Sequence, residues 1–262
     1  MESGCEILIV GAGITGLAAA RELSRRGYSG ITIIEKEAST GAHASGRNSG
    51  VLHAGIYYPA GSNKAAYCVT GGRLMKEFCR EKGLTLVESG KVIVPGSPDK
   101  DYLLDELKRR ADSAGARSGI IGRKELLELE PHAAPVERAL HSPDTAVIDP
   151  KEILTALKEE LESSGVTIKF GTAFSGLKGS GTAATSTGDI TFSRFINAAG
   201  AYADRVASAF GVGGEYKTLP FKGTYKKLVK ERSGLVRGNI YPVPDLGNPF
   251  LGVHFTKSAH GD

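Results

Sequence analysis

Residues 6–35 read EILIVGAGITGLAAARELSRRGYSGITIIE, a run that only a parallel βαβ unit accommodates. A short apolar strand enters Gly11-x-Gly13-x-x-Gly16, an amphipathic helix follows, and a second apolar strand ends in the acid Glu35. Gly11 permits the tight turn out of the strand, and Gly13 lets the backbone come close to a pyrophosphate. Gly16 lets the helix lie on the sheet with its N-terminal amides and dipole facing phosphate. Glu35 is placed to accept hydrogen bonds from a ribose hydroxyl. In a chain with 35 glycines the bare spacing means little. The strand before it, the helix after it and the acid at the right distance turn it into a dinucleotide-binding signature.

The rest of the composition narrows the class. A chain of 262 residues, 40% hydrophobic and 24% charged, has material for a sizeable core. The net charge of +4 is modest and the cations are dispersed, so no nucleic-acid partner is expected. The apolar N-terminal run lacks a preceding Lys or Arg and carries the glycine spacing, so it is read as a βα unit rather than a secretory h-region. No apolar stretch reaches the about 18 residues of a membrane span. Cys5, Cys68 and Cys79 lack CxxC spacing. That argues for a reducing, cytoplasmic setting, with peripheral contact at the inner face of a membrane left open. No His and Cys cluster has metal-ligand spacing, and no metal is expected.

Along the chain, a Gly/Ser/Ala-rich segment from Ala38 to Gly50 precedes a helix expected over Thr70–Lys82 and stopped by Gly83. Lys91–Val94 reads as a strand, and apolar positions recur at helical spacing from Tyr102 to Ala114. Asp149, Pro150 and Glu152 form a helix start, with Ile153, Leu154, Leu157 and Leu161 as the buried stripe and Gly165 as the stop. Val166–Phe170, two short strands around Thr187-Gly188-Asp189, the run Arg194–Ala198 and a helix over Ala201–Phe210 follow. TYKKLVK, NIYPVP and FLGVHFTK alternate as strands do. The fold class expected is α/β, a Rossmann-like dinucleotide domain interleaved with a strand-rich α+β domain. The first is assigned to residues 1–90 plus 145–212 and the second to 91–144 plus 213–262.

With GAGITG, the segment SGRNSGVLHAGIYYPAGSNKA (Ser45–Ala65) resembles the D-amino-acid-oxidase-like superfamily of FAD oxidoreductases, within it the L-2-hydroxyglutarate oxidases and dehydrogenases. The likeness continues through VIDP, INAAG, LPFKGTYKKL, YPVP and LGVHFT. It implies FAD rather than NAD, with Gly11, Gly13, Gly16 and Glu35 on the ADP half. It further implies that Ser45, Arg47, Asn48, Ser49 and Gly50 run along the pyrophosphate and ring. Phe174 falls where the family meets the adenine, and Ala198, Ala199 and Gly200 match a second FAD contact. Members of the family continue beyond the point matching Asp262, with a GIESPG-like loop at the flavin edge and a substrate-side arginine. By the resemblance, that closing segment is absent here. A fragment, a split gene and a chain without catalytic competence are the three readings of it.

The implied reaction takes a hydride from C2 of a 2-hydroxy acid, L-2-hydroxyglutarate by the resemblance, to flavin N5, with oxygen or a quinone as final acceptor. A base near working pH favours histidine. His53 in VLHAGIYY is expected near the flavin and His254 in LGVHFT near the substrate. Lys222 and Tyr225 of PFKGTY and Tyr241 of YPVP are the expected donors to substrate carboxylates. His43, His132, His141 and His260 are read as surface or structural, and Asp149 as a helix cap. Competing readings are another superfamily flavoenzyme acting on an amino acid or glycerol 3-phosphate, a non-catalytic fragment or half of a two-chain enzyme, and an NAD-only dehydrogenase.

Overall fold

The computed structural model describes residues 3–245 and 252–261. In chain order the first elements are β1 (Ser3–Val10), α1 (Ile14–Arg25) and β2 (Ile31–Ile34). Next come β3 (Val51–Leu52), α2 (Asn63–Lys82), β4 (Leu86–Val87), β5 (Lys91–Val94) and α3 (Leu103–Ala114). They are followed by β6 (Gly119–Gly122), α4 (Arg123–Leu129), β7 (Arg138–Ser142) and β8 (Ala146–Ile148). The chain continues through α5 (Pro150–Ser163), β9 (Thr167–Lys169), β10 (Phe174–Leu177), β11 (Thr182–Thr185), β12 (Gly188–Asn197) and α6 (Ala203–Ala209). It closes with β13 (Asn239–Pro242) and β14 (Phe255–Thr256).

These elements form two compact units, residues 1–48 with 150–224 and residues 49–149 with 225–262. The first contains a six-stranded sheet in the order β10-β11-β12-β1-β2-β9. Its β12, β1, β2 and β9 run parallel, and β10 and β11 extend it as antiparallel strands. Strand β1 is buried from Ile7 to Val10, as expected of a central parallel strand covered on both faces. Helix α1 buries Gly16, Leu17 and Ala20, and α5 buries the stripe Ile153, Leu154, Leu157 and Leu161, as its spacing predicts.

The second unit holds a five-stranded sheet, β14-β13-β5-β7-β6, and a three-stranded one, β3-β8-β4. Strand β13 runs parallel to β5 with Tyr241 beside Ile93, so Lys91, Ile93 and Tyr241 share one face of the sheet. That face, which includes Leu140 of β7, packs on Ala54, Ile56, Leu104 and Leu107.

Three sequence expectations change. Residues 49–90 and 145–149, assigned above to the dinucleotide domain, belong to the second unit, where β3 and β4 both pair with β8. Residues 213–224 belong to the first, where the Asp204 carboxylate accepts the Thr218 N–H at 3.1 Å. TYKKLVK is not a strand. Residues 217–229 have no regular structure, and Phe221 and Tyr225 are 72% and 65% exposed. Alternation supplies the side-chain pattern of a strand, but its backbone needs a partner ladder, and none of the described strands pairs there. In FLGVHFTK only Phe255–Thr256 is strand, while Phe250 and Leu251 lie outside the described residues.

Candidate active site

In the first unit a cavity of about 450 Å³ opens at the C-terminal ends of β1 and β2. Crevices at the carboxyl ends of parallel strands are where open α/β sheets bind ligands. Gly11 and Gly13 line it at the start of α1, Glu35 at the end of β2, Ser45 in the following loop, and Phe174 on β10. Ala198, Ala199 and Gly200 line it after β12.

The glycines are required by contact. A Cβ on Gly11 would sit 2.4 Å from the carbonyl oxygen of Ala198, and its φ of +109° is one that residues with side chains rarely adopt. A Cβ on Gly16 would lie 1.9 Å from the Gly11 carbonyl oxygen. Gly16 therefore acts beneath the cavity, allowing helix to meet strand. Gly13 is the N-cap of α1 and has no capping side chain of its own. The Ser45 hydroxyl instead accepts the Ile14 N–H at 3.0 Å. A helix start held by a single exchangeable hydroxyl, with a glycine beside it, leaves room and donors for a phosphate.

Glu35 accepts the Ala12 N–H at 2.9 Å through one oxygen and the Glu37 N–H at 3.0 Å through the other. Each oxygen keeps a lone pair for a sugar hydroxyl. The Asn197 side chain bonds the Ala203 carbonyl and the Ala199 N–H, which fixes the small-residue turn that borders the cavity. Arg47 and Asn48 are exposed and do not line it. Asn48 donates to the carbonyls of Ala44 and Ser45 and shapes the turn there. Ser49 and Gly50 fall in the second unit. Sequence reasoning passed over Lys36, Tyr202 and Arg205, which also line the cavity, the two cations lying over the Tyr202 ring. Nothing in their spacing marks them.

The second unit gathers a different group. His53 lies edge-on to Tyr57 and Tyr241, with ring centroids 6.3 and 6.1 Å apart, and Tyr241 packs against His254 at 4.3 Å. Lys91 completes the cluster, its ammonium 4.4 Å from the centre of the Tyr57 ring and 5.0 Å from that of Tyr241. Of the residues expected at the flavin and the substrate, His53, His254 and Tyr241 meet here, while Lys222 and Tyr225 are exposed, Tyr225 near enough to Tyr241 to raise its phenol.

The electrostatics of this group are those of a desolvated site. Burial pushes the Lys91 ammonium down to about 7. Burial, with the charges of Lys91 and His254 beside it, takes His53 down to about 3 and keeps it neutral. Burial holds the phenols of Tyr57 and Tyr241 above the usual tyrosine range. The His254 Nδ1 donates to the Gly252 carbonyl at 3.0 Å, which leaves Nε2 of a neutral ring as an acceptor. Lys91 and Tyr57 were not among the sequence candidates. One signal was available: Lys91 occupies the same face of its strand as the core residue Ile93, an unusual place for a lysine.

A glycine turn, a helix start held by one exchangeable hydroxyl, and an acid at the strand end fit FAD. A model of the DAO family, described as FAD dependent oxidoreductase, matches residues 6–262, and the chain belongs to that family. Among curated relatives, it is 36% identical to the L-2-hydroxyglutarate dehydrogenase of Indibacter alkaliphilus and 37% identical to the mitochondrial one of Caenorhabditis elegans. In both cases 98% of this chain is covered, with 65% and 61% of the relative. The chain thus spans under two thirds of the length of these proteins. Among solved structures, it superposes on the L-alpha-glycerophosphate oxidase of Mycoplasma pneumoniae with a TM-score of 0.80, at 24% identity over 100% of this chain and 70% of that one. The glycine oxidase of Geobacillus kaustophilus matches with a TM-score of 0.73 at 24% identity, over 80% and 59%. These two likenesses describe the fold. Among the described residues no helix is long and apolar enough to cross a membrane.

Proposed function

We propose that this chain carries the cofactor and substrate sites of an FAD-dependent 2-hydroxy-acid oxidoreductase that converts L-2-hydroxyglutarate to 2-oxoglutarate. The observation that carries this reading is continuous similarity, at 36% identity over 98% of the chain, to a protein of that name. That similarity runs through both the glycine cradle and the Lys91–Tyr241 cluster.

FAD, when bound, supplies the acceptor for the two electrons that leave C2 with a hydride. The chain's own residues do the rest. Gly11 and Gly13 with the start of α1 would hold the pyrophosphate, Gly16 beneath them letting helix meet strand; Glu35 would hold the ribose, and Phe174 with Ala198, Ala199 and Gly200 the adenine side. Ser45 would follow the pyrophosphate, and Arg47, Asn48, Ser49 and Gly50, which do not line this cavity, are proposed only as the segment that leads on from it. His254 Nε2 takes the proton of the substrate hydroxyl as the C2 carbonyl forms. Buried, neutral His53 is a poor proton acceptor near neutral pH and serves as a hydrogen-bonding neighbour. Tyr241 is a substrate-side donor, and Lys222 and Tyr225 are donors that a ligand would have to order. Three cysteines, none of them in a disulfide, support a reducing compartment, the cytoplasm. Oxygen or a quinone is the final electron acceptor.

The test is spectroscopic. FAD is added to the purified chain, and the visible flavin band is followed anaerobically after each of L-2-hydroxyglutarate, D-2-hydroxyglutarate, glycerol 3-phosphate and glycine. Bleaching by the L-hydroxy acid alone is expected. Bleaching by glycerol 3-phosphate or glycine in its place would reassign the substrate, and a chain that retains no flavin would overturn the reading.

A further inference from the structure

Lys91 is 1% exposed on the central part of a sheet, and its ammonium has no hydrogen-bond partner among the described residues. Two of the side chains in contact with it or its neighbours share this condition. The Tyr57 hydroxyl and His53 Nδ1 are also buried and without a partner. Three orphaned polar atoms in one cluster are far more than a packed interior tolerates, since buried polar groups are almost always paired. Their shared chemistry is specific. An ammonium and a phenol are donors, and a neutral imidazole can donate from Nδ1.

No carboxylate of the described residues pairs with Lys91. Two tyrosine faces flank it, where a structural buried lysine would have an acid partner. The titratable groups around it are Cys68 from α2, His53 and Tyr57 from the segment before α2, Tyr241 from β13 and, next to Tyr241, His254. None of them supplies an acidic partner. The geometry points to Lys91 as the anchor for a substrate carboxylate, with the Tyr57 hydroxyl and His53 Nδ1 as additional donors to the same group. This rests on the 2-hydroxy-acid reading and assigns within it the residue that recognises the acid.

The assignment has a consequence that a structural lysine would not share. In the free protein at pH 8, a Lys91 near 7 is mostly neutral. A carboxylate beside it favours the charged form, so binding draws in a proton. At pH 6 the amine is already protonated and the uptake fades.

The experiment is calorimetric titration of the FAD-loaded chain with 2-oxoglutarate, which lacks the C2 hydrogen and so does not react. It is run at pH 6 and pH 8 in two buffers of different ionisation enthalpy. Wild type is expected to take up a fraction of a proton per ligand at pH 8 and little at pH 6. Lys91→Met should lose the uptake and bind at least about tenfold more weakly. Its thermal midpoint, read alongside, should stay at or above that of wild type, which separates lost recognition from lost folding. Wild-type affinity and proton uptake in Lys91→Met, or no uptake by wild type at pH 8, would overturn the anchor. Bleaching of wild-type flavin by L-2-hydroxyglutarate is scored separately, so the reaction can stand while the anchor falls.

Discussion

Tyr241 and His254 pack as tilted rings, centroids 4.3 Å apart and planes 35° from parallel, with the histidine held by its Nδ1 bond to the Gly252 carbonyl. The backbone bond sets the tautomer and the tyrosine sets the ring plane, so the remaining nitrogen has a defined direction. His254→Gln keeps a polar group of similar reach but cannot carry the proton away. With FAD bound, the rate of flavin reduction by L-2-hydroxyglutarate should fall by about 10²-fold or more. Flavin content and thermal midpoint should stay near wild type. An unchanged reduction rate in stopped-flow would remove His254 from the proton path.

The two glycines of the cradle should fail differently. In Gly11→Ala the new methyl meets a backbone carbonyl at 2.4 Å and the residue is forced to hold φ +109°. Neither can relax, and the change should cost about 2–4 kcal/mol, with loss of flavin. In Gly13→Ala the contact is the Ser45 hydroxyl at 2.9 Å, which can rotate aside. Stability should change by less than about 1 kcal/mol while FAD affinity drops, because the methyl occupies the space a phosphate needs. Chemical denaturation read beside flavin retention distinguishes the two. Equal destabilisation would mean the Ser45 side is as rigid as the strand.

How far the sequence reached follows from what each element depends on. GAGITG, Lys91–Val94 and the stripe of α5 are set by local periodicity, caps and glycine placement, and the structure has them where those signals put them. Helix α2 begins earlier than expected, at Asn63, because Ser62 caps it by accepting the Ala65 N–H. TYKKLVK failed for a non-local reason, since strand pairing is decided elsewhere in the chain. The candidate site divides in the same way. Gly11, Gly13 and Glu35 at the first cavity stood out because a phosphate cradle is a contiguous motif, whereas Phe174 and Ala198, Ala199 and Gly200 came from the family resemblance and Lys36, Tyr202 and Arg205 from neither. Lys91 meets Tyr241 through parallel pairing of strands far apart in sequence, Tyr57 reaches it from the turn before α2, and only their surroundings make them unusual.

Glu130 illustrates a charge whose role is architectural. It is 3% exposed, and its carboxylate accepts the N–H groups of Arg237 and Gly238 at 3.0 and 2.5 Å, at the entry to β13. Both amides lie far along the chain, so the acid fixes where the strand carrying Tyr241 begins. Glu130→Ala leaves two backbone donors without partners and should cost about 2–4 kcal/mol. Glu130→Gln keeps an acceptor oxygen and should recover about half. Urea unfolding of the three proteins measures this, and an alanine variant as stable as wild type would show that water serves the amides equally well.

Lys91 should also leave a signature in stability against pH that needs no ligand. Its amine falls from the usual 10.5 to about 7 on folding because burial disfavours the charge. Between these values the unfolded chain binds the proton and the folded chain does not, so unfolding takes up protons and stability rises with pH. The slope from this one group approaches about 1.4 kcal/mol per pH unit. Below pH 7 both states are protonated and the penalty of a buried charge is fully present; above about 10.5 it is gone. Lys91→Met has no such group. The variant should therefore be more stable than wild type at pH 6 by a few kcal/mol, and the gap should close steadily from pH 7 to pH 10. Urea midpoints of both proteins across that range provide the measurement. A gap that does not vary with pH would mean that Lys91 keeps its charge throughout.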